Sequence, residues 1–155
     1  MGLDQYLKKK TFVGAYYDHR DVKGNVEITI KGKPLPINFK RISCIEEQVG
    51  YWRKANHIHE WFVQNIQKGE DDCREYHVSV SKFKKLLEDC KKAKESIVDA
   101  PEVLPTKEGF FFGSTDYDEG YWQDIEDTIL IIEEILKEEE EGEGTAADYY
   151  YQSSW

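Results

Sequence analysis

The segment Gly50–Ile66, GYWRKANHIHEWFVQNI, gathers Trp52 and Trp61, His57 and His59, Arg53, Lys54 and Asn56 within a single short stretch. Arg53 and Lys54 supply fixed positive charge, Asn56 can read a polar edge, and Tyr51, Trp52 and Trp61 offer π faces. That mixture suits a planar or anionic ligand. Trp52, Ala55, Ile58/His59, Phe62 and Ile66 recur at helical spacing, with Arg53, Asn56, Glu60 and Gln64 opposite, so the segment reads as an amphipathic helix. On such a helix His57 and His59 lie about 200° apart and cannot act as a pair. Each is the acid/base candidate if the chain is an enzyme.

A second cluster stands at Gly113-Ser114-Thr115, with Tyr117 just beyond, where small residues precede a helical pattern. Free backbone N–H groups at a helix N-terminus form a natural anion site. If the two regions meet, a nucleotide-sized ligand could stack on an aromatic ring and place its phosphate near Arg53 and Ser114. The candidate ligand-binding set is therefore Trp52, Arg53, Asn56, His57, His59, Trp61, Ser114, Thr115 and Tyr117. A plainer arrangement competes with it. Trp52 and Trp61 would be core, Arg53 would pair with a carboxylate of the acidic C-terminal helix, and Ser114 and Thr115 would only cap.

Other chemistry finds little support. The chain has no G-x-S-x-G, H-E-x-x-H, Walker A or G-x-G-x-x-G motif, and no cofactor is implied. Cys73 and His77 are four apart and His57 and His59 two apart, but no second close cysteine pair completes a tetrahedral metal site. Cys44, Cys73 and Cys90 are scattered, as free thiols in a reducing compartment would be. The carboxylates at Asp116, Asp118 and Glu119 are explained by a helix start.

The charge is split along the chain. Residues 1–107 hold 20 of the 21 Lys and Arg against 16 acids, whereas residues 108–155 hold Lys137 alone against 15 acids. The acidic third is a solvated face, a mimic of nucleic-acid charge or a clamp for a basic partner. Lysines at 82, 84, 85, 91, 92 and 94 make a basic face, but the acidic segment would repel a nearby duplex, so no duplex nucleic acid is expected as partner.

These 155 residues, 39% hydrophobic and 14% aromatic, suit one ordinary domain with a core built largely of Tyr, Phe and Trp. No apolar run spans a bilayer and the first residues lack a signal-peptide core, so a cytoplasmic protein with no membrane partner is expected. Met-Gly opens the chain, but Tyr6 stands where a myristoylation signal wants Ser or Thr.

The elements that must position the two clusters can be read in order. Strands are predicted over Thr11–Tyr17, Asn25–Lys31 and Leu35–Phe39, with a turn at Lys31-Gly32-Lys33-Pro34. Arg41–Val49 is ambiguous between strand and helix. A helix follows over Tyr51–Gln67, closed by Gly69. Tyr76–Val78 reads as a short strand, and Ser79 or Ser81 caps a helix over Ser81–Val98. Gly109–Gly113 is an aromatic strand or extended segment. Thr115 with Asp118 resembles a capping box for a helix over Asp116–Glu140. A flexible acidic connector lies near residues 138–147, and Asp148–Tyr151 can pair as a last strand. Four aromatics in the final seven residues would be costly in water, so the C-terminus is expected to fold back onto the body. The fold class is α+β, a small antiparallel sheet packed by about three helices in one domain.

Four blocks, MGLDQYL, GYWRKANHIHEWFV, LPTKEGFFFGSTDYDEGYWQD and YYYQSSW, resemble in order a family of small phage and prophage proteins. The resemblance implies an accessory phage protein at work in a bacterial host cell. It brings no catalytic or binding residue with it. The combined expectation is a binder rather than an enzyme, one that counters a host defence by sequestering a nucleotide-like signal or by covering a host protein. An enzyme acting on a nucleotide or phosphoester is the alternative, and homo-oligomerisation stays open.

Overall fold

In the structure, a computed structural model that describes residues 2–13, 27–142 and 146–155, the chain is a single α+β domain. The sheet forms from β1 (Asp4–Phe12), β4 (Cys44–Arg53), β5 (Tyr76–Val78) and β6 (Ala147–Ser154), in the order β4-β1-β6-β5 with every pairing antiparallel. A separate hairpin joins β2 (Thr29–Ile30) to β3 (Lys33–Pro34). The C-terminal strand is interior, between β1 and β5, so the aromatic tail folds back as its composition demanded. Tyr149 and Tyr151 are buried, and Tyr151 stacks on Phe62 with ring centroids 3.9 Å apart and planes within 5°.

One face of the sheet is apolar and the other polar, as an antiparallel sheet allows. Leu7, Trp52, Tyr149 and Tyr151 point into the core. On the opposite face Lys8 and Lys10 meet Glu46 and Glu75, and Lys10 lies over the Tyr150 ring. Three helices cover the apolar face, namely α1 (Asn56–Asn65), α2 (Val80–Glu95) and, after the one-turn α3 (Ala100–Val103) that packs on α2, α4 (Glu119–Glu141). Between α2 and α4, Lys91 pairs with Glu133 and Lys94 with Glu126, so part of the acidic helix is answered within the molecule. No helix among the described residues is long and apolar enough to cross a membrane.

Several boundaries differ from the sequence expectation. The helix predicted from Tyr51 starts at Asn56, because β4 continues to Arg53 in register with Asp4. Gly50 and Trp52 face inward while Tyr51 and Arg53 face out, a period of two that the helical reading overlooked. Lys54 then turns the chain with φ 60. The strand predicted at Thr11–Tyr17 instead runs from Asp4 to Phe12, and its last residues lie outside those described. Of Asn25–Lys31 only Thr29–Ile30 is strand, with residues 25 and 26 outside the described set, and Leu35–Phe39 forms no strand.

The second helix stops at Glu95, where Ser96 becomes extended and its carbonyl takes the N–H groups of Asp99 and Ala100. Ile97 and Val98 are left exposed. Gly109–Gly113 is a turn, not a strand, with only Phe112 buried. Asp118 rather than Thr115 caps α4, accepting from the Tyr121 N–H at 3.1 Å. Gly69 takes the left-handed conformation expected of it after α1.

Candidate functional site

The site is built where β4 ends, α1 begins and the loop from Lys107 to Asp118 crosses above them. Asn56 fastens that loop. Its side-chain amide donates to the carbonyls of Phe112 at 3.1 Å and Ser114 at 2.8 Å, and its carbonyl accepts from the Lys107 N–H at 2.9 Å. Gly113 sits against Lys54 with φ 90, and a Cβ there would stand 3.0 Å from the Lys54 Cβ and 3.2 Å from its carbonyl. Only glycine permits both that backbone and that approach.

These contacts enclose a cleft of about 240 Å³. It is lined by the cations Arg53 and Lys54, by Asn56, His57, Gly113 and Ser114, and by Asp116, Asp118, Gly120, Tyr121 and Asp124 of the loop and α4. The N-terminus of α1 is uncapped, since Ala55 has no side chain to offer and the first turn carries no acid. The Asn56 N–H bonds to the Lys54 carbonyl and the His59 N–H to that of Ala55. The N–H groups of His57 and Ile58 between them have no partner among the described residues. Two free donors at the positive end of a helix favour an anion. Arg53 and Lys54, which line the same cleft, are exposed and make no ion pair with any described residue.

The carboxylates of the cleft differ. Asp118 serves α4, but Asp124 is half-buried with no hydrogen bond or ion pair to its carboxyl among the described residues. Burial, then the neighbouring charges of Asp127 and Asp118, push its pKa up to about 7. His57 is buried against Tyr121, with ring centroids 4.2 Å apart, and its Nε2 has no partner. Burial lowers its pKa to about 4, against the weaker opposing pull of the Tyr121 backbone and Asp118. It is therefore neutral at pH 7.

The structure thus brings Arg53, Asn56, His57 and Ser114 together and separates the rest of the sequence-derived set. Trp52 is core, its indole N–H donating to Thr128 Oγ1 at 2.9 Å. Trp61 is core, donating to Asp89 at 2.8 Å. His59 is fully buried, with Nε2 at 2.9 Å from Asp71 and Nδ1 at 2.7 Å from the Tyr151 hydroxyl. Both ring nitrogens are engaged, and none is left for a substrate. Thr115 and Tyr117 are exposed outside the cleft, where the Thr115 carbonyl accepts from Thr106 and the Tyr117 hydroxyl from the Thr106 N–H.

Sequence reasoning passed over Asp116 and Asp118 as helix-start residues and missed Asp124 altogether. The available signal was its place on α4, three residues after Tyr121 and one before Ile125. An acid there flanks the buried stripe and shares a face with Gly120 and Tyr121. Among the described residues no group of three or more His, Cys, Asp or Glu is placed to hold a metal ion. Comparison with known proteins finds no family model, no curated protein and no solved structure that matches the chain.

Proposed function

We propose that this protein binds a small phosphorylated, nucleotide-like molecule in the cleft, with the anion at the N-terminus of α1. The observation that carries the reading is the coincidence of two unpaired cations, Arg53 and Lys54, with the unpartnered N–H groups of His57 and Ile58. Helix ends and charged side chains reinforce each other at such a place. A volume near 240 Å³ lies below the several hundred typical of drug-sized ligands, which favours a mononucleotide or something smaller. Sequestering such a molecule would suit a phage accessory protein that removes a host defence signal.

Thermal unfolding with adenosine monophosphate, a cyclic mononucleotide and inorganic phosphate tests this reading. A ligand present at 100 times its Kd stabilises the fold by about 2.7 kcal/mol, a clear rise in Tm. The rise should vanish in the Arg53→Ala/Lys54→Ala double variant, and no rise with any phosphorylated probe counts against the proposal. Chemical analysis of the ligand after heat release separates binding from turnover. Recovery of product would favour an enzyme, and Asp124, whose pKa lies near neutrality, then suits acid/base work better than either histidine.

A further inference from the structure

We infer that the ligand of the cleft is dipolar, an anion at one end and an N–H-bearing amino, ammonium or amidine group at the other, the second end held by Asp124. This rests on the anion pole proposed above and adds a class to it.

Ionisable groups here share a cleft without pairing. Arg53, Lys54 and Asp124 line the same cleft, and no ion pair joins either cation to any described carboxylate. A protein that needed these groups only for stability would let them pair, because an unpaired half-buried carboxyl is unfavourable. Here Asp124 keeps that cost on α4, and His57, which lines the same cleft, has a buried Nε2 without a partner. A purely anionic ligand would leave Asp124 unanswered and would suffer repulsion from Asp116 and Asp118 as well. A ligand carrying N–H donors at its far end answers the cations and Asp124 at once. Its approach also favours ionisation of Asp124, since a neighbouring cation or donor stabilises the carboxylate.

Two sources supply that chemistry, the amidine edge of an aminated nucleobase and an alkylammonium group. Calorimetric titration of the whole chain with matched pairs distinguishes them. Adenosine monophosphate is compared with ribose 5-phosphate, 2-aminoethyl phosphate with glycerol 3-phosphate, and inorganic phosphate serves as the anion alone. The aminated member of at least one pair should bind tenfold or more tightly than its partner, and Asp124→Ala should abolish that ratio while leaving inorganic phosphate affinity within about threefold. The pair that shows the ratio identifies the source. Equal affinity within both pairs, with phosphate still bound, overturns the dipolar ligand and leaves the anion pole standing. A ratio that survives Asp124→Ala overturns the assignment to Asp124. Absence of binding by every probe overturns the anion pole and this inference with it.

Discussion

Arg53 and Asp124 face one cleft, from the end of β4 and from the second turn of α4, and no ion pair joins them. The loop that Asn56 fastens closes over the same cleft, so its shape depends on a small number of contacts that can be removed singly.

Asp124 should make the fold less stable as the solution becomes alkaline. Its native pKa of about 7 lies above its ordinary 3.8, so the native state binds more protons than the unfolded chain between those values. Stability therefore falls as pH rises through that window, and the whole cost is present above it. Discounted for partial exposure, Asp124→Asn should be more stable than the parent by roughly 1 kcal/mol at pH 8 and indistinguishable near pH 4. Urea unfolding at the two pH values measures the difference.

His57 should act with the opposite sign. Its native pKa of about 4 lies below the ordinary 6.5, so the unfolded chain binds more protons as pH falls between them. Stability is lost across that interval, by up to about 3 kcal/mol. The two groups overlap and partly cancel. Asp124→Asn should thus steepen the acid loss, whereas His57→Gln should flatten it whatever its effect on absolute stability. Tm recorded from pH 4 to pH 8 for the three proteins checks both slopes.

Asn56→Ala should cost about 2–4 kcal/mol, since it removes three hydrogen bonds and leaves the loop carbonyls without their donor. Amide exchange gives the finer readout, because the Lys107 N–H should lose protection before the helices do. Unchanged protection at Lys107 would mean that the loop is held by something else.

Gly113→Ala should cost about 1–3 kcal/mol through its positive φ and the close approach to Lys54. It should also weaken any phosphate binding, as the new Cβ pushes the loop away from Lys54. Denaturant unfolding and a phosphate titration of the same variant separate the two effects.

The sequence made the α+β class, the antiparallel pairing and the return of the C-terminus legible, because alternation and aromatic content leave few ways to bury such a chain. It misled at Tyr51–Ala55, which read as the first turn of a helix and is the end of β4 and a turn. Trp52 fits an inward position at a period of two and at a period near 3.6, and only the partner strand Asp4–Phe12 decides between them. The meeting of Arg53 with Ser114 was conditional in the sequence, since nothing local says where a loop of glycines and phenylalanines will land. Asn56 makes that long-range choice. Trp61 and His59 looked functional because their polar atoms suggest exposure. Each is buried with those atoms satisfied by Asp89, Asp71 or Tyr151, a pairing that no spacing reveals. Asp124 escaped notice for the converse reason. It is one acid among many on an acidic helix, and only its burial sets it apart.

The central claim is that the N-terminus of α1 is an anion pole. Titration of the isotopically labelled protein with adenosine monophosphate at neutral pH, followed through the backbone amides, tests it most directly. The account predicts that the His57 and Ile58 amide resonances move downfield on binding, with Gly113 and Ser114 following, and that the Arg53→Ala/Lys54→Ala variant shows neither change. Amides of His57 and Ile58 that stay fixed at saturating ligand, or shifts confined to another face of the molecule, would contradict it.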